Sequence, residues 1–249
     1  MRFITYGNAD LPPVMMIHGM ATTAEICYDR IAKKLSTRYH VILAVLDGHD
    51  DKSDSIFVSV DDSCKKIERY VSENFGGHLY AISGFSLGGS IAVELLQRGN
   101  ISIEKAHLDA AFCIKLGALA PVYTFIFTEG IRYIQSGRKV PESITGHIFG
   151  KGNNSVIEML FYDIKRDTIL NGCHDVYRFE LREELRDCGA ETVFWFGSNE
   201  KFPRKTARLL RKYMPKMKVC VFKGMGHGQL LHEHPDYYLK RLTIFLKAR

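Results

Sequence analysis

The stretch Ala81-Ile-Ser-Gly-Phe-Ser-Leu-Gly-Gly-Ser90 sets the question on which the fold turns: whether Ser86 is a nucleophile lifted on a sharp turn or a serine in a glycine-rich loop. The segment before it, HLYAISGF (78–85), reads as a buried strand, and LGGSIAVELLQRG after it reads as a helix. A strand-to-helix turn this tight crowds the Cβ atoms two residues before and two after its centre. Gly84 and Gly88 stand at those positions, and Gly89 adds room. The serine side chain is then raised above the sheet edge. The backbone N–H of Leu87 faces the same space, and the helix start favours developing negative charge.

The same strand-then-helix alternation runs outward along the chain. PVMMIHG (13–19), VILAVLDG (41–48), AHLDAAF (106–112), ETVFWFG (191–197) and KVCVFKG (218–224) read as further buried strands. Helices are expected after residue 22, where Thr22 and Glu25 have capping-box spacing, over 60–77 with Cys64, Ile67 and Val71 inward, and over 235–249. Strands apolar throughout and separated by helices imply a mostly parallel central sheet covered on both faces, an α/β fold that places ligands at the carboxyl ends of its strands. The alternation breaks over 113–178, which is rich in aromatics and has helical patches but no clear strand. It reads as a small helical cap inserted into a core made of 1–112 and 179–249.

A serine hydroxyl needs a base. His227, in GMGHGQLL (224–231) just after the last strand, stands where an imidazole can reach it. His232 and His234 read as bystanders. The base needs a carboxylate to fix its tautomer. Glu200, in the loop after ETVFWFG, is the first candidate, and Asp109, near the end of an earlier strand, the second.

The order Ser86, Glu200, His227 on these strands resembles the α/β-hydrolase fold, over nearly the whole chain. The resemblance implies that MIHGMAT supplies an oxyanion N–H from Met20, with Leu87 as the second donor, and that His18 shapes that loop. LDGHDD is similar to a structural D-x-x-G-H-G segment with Asp50 in place of the last glycine. The acid three residues after Gly197 is usually aspartate in this family and is Glu200 here. The implied activity is a serine esterase acting through an acyl-enzyme, with no metal or organic cofactor. The same triad also serves acyltransferases, carbon–carbon hydrolases and lyases, and the scaffold serves non-catalytic receptors. Tyr123, Phe125, Phe127 and Tyr133 could line an apolar pocket for a small-to-medium acyl group or pack the cap onto the core.

The composition limits the partners. With 46% apolar residues the 249-residue chain can bury a sizeable core. No stretch is apolar enough to span a bilayer and no secretory signal is visible, so a cytoplasmic location is expected. The six cysteines show no CxxC spacing and read as reduced thiols. The net charge of +6 is concentrated in residues 201–218, with eight basic residues and no acidic one. This reads as a solvated helix face or a surface for an acidic partner. Nucleic acid is not expected, because no aromatics are interleaved with the charges on that face.

Overall fold

The structure, a computed structural model, describes residues 1–138 and 155–247. Its sheet has seven strands: β1 (Arg2–Tyr6), β2 (Pro13–Ile17), β3 (His40–Val45), β4 (His78–Phe85), β5 (Ser102–Asp109), β6 (Glu191–Gly197) and β7 (Lys218–Phe222). Their order is β1-β3-β2-β4-β5-β6-β7, parallel throughout except for β1 against β3. The sequence pattern does not reveal β1, because RFITY has too few consecutive apolar residues to read as a buried strand. It lies at the sheet edge, only partly covered.

The helices around the sheet are α1 (Ala24–Leu35), α2 (Val60–Phe75), α3 (Leu87–Arg98), α4 (Ala120–Gln135), α5 (Ser155–Glu158), α6 (Arg166–Val176), α7 (Lys201–Tyr213), α8 (Gln229–Glu233) and α9 (Pro235–Lys247). One face of the sheet is covered by α2, α3 and α7, with Cys64, Ile67, Ile91, Leu95 and Leu210 fully buried. The other is covered by α1 and α9, with Tyr28, Ile31, Tyr238 and Leu242 buried. α1 starts one residue later than its capping-box spacing suggests. Thr23 is the cap, its hydroxyl accepting from Ile26 N–H at 3.1 Å, while Thr22 is buried. β5 also starts four residues before the expected 106. Its charged residues hide it, because Lys105 is buried in the sheet and paired with Glu191 at 2.8 Å.

Residues 113–138 and 155–178 form α4, α5, α6 and a 3₁₀ turn at Gly117–Leu119, with no named strand among the described residues. The part of the expected cap at 139–154 lies outside them. The strand order reverses between β2 and β4: the chain leaves β2 to one side for β3, then crosses back to β4. The crevice at such a switch point is where open α/β sheets bind ligands. Here the Gly19–Met20 loop and Ser86 face each other across it.

Three histidines are buried without charge. Desolvation holds His18 and His107 to about 3 and His49 to about 4, with neighbouring His49 adding to the effect on His18. In the unfolded chain such rings protonate near pH 6.5, so below that pH the unfolded state binds more protons. Stability should therefore fall as the pH drops from 6.5 toward 4, by up to about 1.4 kcal/mol per ring per pH unit. Urea midpoints at pH 7 and pH 5 measure this. His107→Gln should flatten the dependence, and an unchanged slope would remove His107 from the account.

Candidate active site

The turn after β4 holds Ser86 at φ 53°, ψ −112°, in the left-handed region that non-glycine residues rarely occupy. Close packing over-determines it. A Cβ on Gly84 would lie 2.3 Å from the Gly88 carbonyl oxygen, and one on Gly88 would lie 2.1 Å from that of Ile17. Ser86 N–H donates to the Asp109 carbonyl at 2.8 Å, tying the turn to β5. The Ser90 hydroxyl, one turn into α3, donates to the Phe112 carbonyl at 2.8 Å.

His227 comes from the loop between β7 and α8. Its Nε2 lies 3.0 Å from Ser86 Oγ and its Nδ1 lies 2.7 Å from Glu200 Oε1. The carboxylate accepts, so Nδ1 carries the proton and Nε2 is left to accept from the serine hydroxyl. Glu200 is almost fully buried at the start of α7, and its other oxygen accepts from the Gly197 N–H at 2.5 Å. Glutamate's extra methylene is taken up by this return to the loop's own backbone. The Phe85 ring packs on His227 with centroids 4.9 Å apart.

Asp109 lies at the end of β5, buried, and its backbone rather than its carboxylate meets the turn. Burial, with the Glu200 charge nearby, pushes its carboxyl well above the usual range. Asp109 is thus suited to being a neutral group, while Glu200 is the carboxylate brought to the imidazole. Glu200→Gln should lower kcat/KM for an ester by about 10³–10⁴, since an amide no longer selects the tautomer. Asp109→Asn, which preserves a neutral group, should stay within about tenfold. Steady-state kinetics of the two variants test the pair, and the reverse ranking would exchange their roles.

The loop after β2 faces the serine. The Leu46 N–H donates to His18 Nε2 at 3.1 Å, so the proton is on Nδ1, which donates to the Gly19 carbonyl at 2.8 Å. The neutral ring thereby fixes the backbone just before Met20. Ala21 follows at φ 59°, and its carbonyl accepts from Phe161 N–H at 2.8 Å. Leu87 is the first residue of α3, so its N–H has no partner within the helix. Met20 and Leu87 both line the space above Ser86.

Two hollows open from Ser86 and share Met20, Phe127 and His227. One, about 630 Å³ with its open mouth, is walled by Phe112, Tyr123, Tyr177, Phe202 and Pro203. The other, about 460 Å³, is walled by Thr22, Phe85, Ile131, Met159 and Leu160. Of the four aromatics expected at the pocket, Tyr123 and Phe127 line it. Phe125 and Tyr133 do not. They fall on the outer side of α4, where Phe125 is 66% exposed and Tyr133 is exposed beside the Arg138 guanidinium, 5.4 Å from its ring centroid. The helical period separates them from the inward pair. Sequence reasoning misses Phe112, Tyr177 and Phe202. Phe112 and Tyr177 lie beside segments read as strand or cap boundary, and Phe202 is hidden in the basic stretch. All six cysteines are free, and among the described residues no cluster of His, Cys, Asp or Glu could hold a metal.

Residues 12–133 match the model of the alpha/beta hydrolase fold family. An α/β hydrolase family protein from Desulfitobacterium hafniense superposes with a TM-score of 0.89, at 23% identity, over 99% of this chain and 100% of that one. The chain has the α/β-hydrolase fold. Among curated relatives, a pimeloyl-[acyl-carrier protein] methyl ester esterase of Nitrosomonas europaea is 24% identical over 91% of this chain and 92% of its own length. A carboxylesterase of Bacillus subtilis is 23% identical over 98% of this chain and 82% of its own. No helix among the described residues is long and apolar enough to cross a membrane.

Proposed function

We propose that the protein is a serine esterase that cleaves a small-to-medium apolar acyl ester or thioester. The observation that carries this reading is the unbroken contact from Ser86 Oγ through both nitrogens of His227 to Glu200, opening onto two apolar hollows. Ser86 Oγ attacks the acyl carbon as its proton passes to His227 Nε2. The oxyanion is held by the Met20 and Leu87 N–H groups. His227 returns the proton to the departing alkoxide or thiolate, leaving an acyl-Ser86 ester. Water then attacks with His227 as base and releases the acid.

The aromatic wall of the larger hollow favours an apolar acyl group, and the esterase names of the relatives agree with that chemistry. In this reading residues 113–178 act as a cap that contributes Tyr123, Phe127, Met159 and Leu160 to the walls. Incubation with a fluorophosphonate, digestion and mass spectrometry should place the adduct on Ser86, with sharply reduced labelling in His227→Ala. An unlabelled, folded wild type that also leaves short acyl esters intact would overturn the proposal.

A further inference from the structure

The Lys and Arg residues of the stretch 201–218 have no part in the chemistry above. In the fold it forms α7 and the turn into β7, and every one of its eight Lys and Arg residues is exposed. Without them the rest of the chain would carry two more acidic than basic residues. Many cations elsewhere on the surface are paired: Arg30 and Lys34 meet Asp236, Lys33 meets Asp29, Lys66 meets Asp47 and Asp62, and Arg98 meets Glu68. Exposed cations without an ion pair among the described residues, such as Arg38, Lys52, Arg69, Lys223 and Lys240, are scattered over separate elements, whereas on α7 they are gathered on one helix. Among the described residues Lys201, Lys205, Arg208, Arg211 and Lys212 have no carboxylate partner, and Arg204 bonds the Ser198 carbonyl.

The ridge has a fixed relation to the active site. Glu200 caps α7, and Phe202 and Pro203 in its first turn wall the larger hollow. Lys201, Lys205, Arg208 and Lys212 then follow one side of the helix, from the mouth of that hollow outward for about 16 Å at 1.5 Å per residue. The opposite side, with Thr206, Ala207 and Leu210, is buried and fixes the orientation.

We propose that this ridge docks an acidic protein that carries the acyl group into the hollow at Ser86. The length matches a helix-sized acidic surface and exceeds what a single phosphate or carboxylate spans. A lipid surface fits less well, because an interfacial helix offers apolar side chains to the bilayer and those of α7 are spent on the core. Nucleic acid fits less well because Tyr213 lies beneath the Arg186 guanidinium, 5.2 Å from its ring centroid, and no other aromatic is available on that face among the described residues. Unpaired charge of one sign next to a site raises the encounter rate and sets the partner's orientation.

The inference rests on Ser86 being the acyl-hydrolase nucleophile, so the test separates the two. The full chain and a Lys205→Glu/Arg208→Glu/Lys212→Glu variant are given octanoyl thioester on a highly acidic carrier protein, and the same thioester on a short uncharged thiol. Expected is a kcat/KM on the carrier-borne ester on the order of tenfold lower in the variant at low salt, with that gap shrinking as salt is raised. The small thioester should be cleaved equally by both. The corresponding Gln variant should fall between them. Equal rates on the carrier-borne ester would overturn the docking proposal while leaving the esterase reading intact. Loss of binding to anionic vesicles, with carrier kinetics unchanged, would reassign the ridge to a lipid surface. No cleavage of either thioester by the wild type would instead count against the esterase reading.

Discussion

Exchange of Ser86 for alanine should lower kcat for a short acyl ester by about 10⁶, with KM little changed, and His227→Ala should do nearly the same. In the proposed mechanism the two act as a unit: the 3.0 Å contact between Oγ and Nε2 would give the hydroxyl its base, and neither partner would activate without the other. The double variant should therefore be hardly slower than either single one. A residual rate of about 10³ over the uncatalysed reaction is expected in all three, because the Met20 and Leu87 N–H groups and both hollows remain. The Ser86→Ala exchange removes only the hydroxyl and leaves a non-glycine residue at φ 53°, so stability should stay near that of the wild type. Multiplying effects in the double variant would mean that His227 serves a step in which Ser86 has no part.

The sequence carried the fold because the strands around the site are apolar throughout, and buried parallel strands must be so. VILAV and HLYAISGF could be read directly. RFITY and the start of β5 could not, because the edge position of β1 and the buried Lys105–Glu191 pair break that rule. The turn at Ser86 was legible for a different reason: its glycines stand where an added Cβ would meet backbone carbonyl oxygens at 2.1 and 2.3 Å. Glu200 and His227 were legible by position, but their contact joins residues 27 apart through a loop whose path no local pattern specifies.

The pocket walls were legible only in part. A helix shows its apolar positions in sequence but not which of them face a cavity. Val122, Phe125 and Tyr133 on α4 are exposed, while Tyr123 and Phe127 line the hollow. Composition cannot separate two apolar sides of one helix, and only the orientation set by the buried Thr128, Ile131 and Ile134 does so.

The same reasoning gives the largest expected effect on stability. Gly88→Ala should destabilise the fold by more than about 3 kcal/mol, lowering the melting temperature by roughly 10 °C. The added Cβ would meet the Ile17 carbonyl oxygen at 2.1 Å and the His18 carbonyl oxygen at 2.6 Å. Both are backbone atoms of β2 and its exit, held by parallel pairing to β3 and β4 and by the buried His18 ring. Neither can move without displacing Met20 and the start of α3 together, so activity should be lost along with stability. Gly130→Ala is the matched control. It lies inside α4, where a Cβ would meet nothing within 4 Å, and replacing glycine in a helix interior should add about 0.5–1 kcal/mol. Thermal unfolding of the two variants separates close approach from helix propensity. If Gly88→Ala melted like the wild type, the β2 exit and α3 would not be in contact, and the crevice that holds Ser86 would have to be built differently.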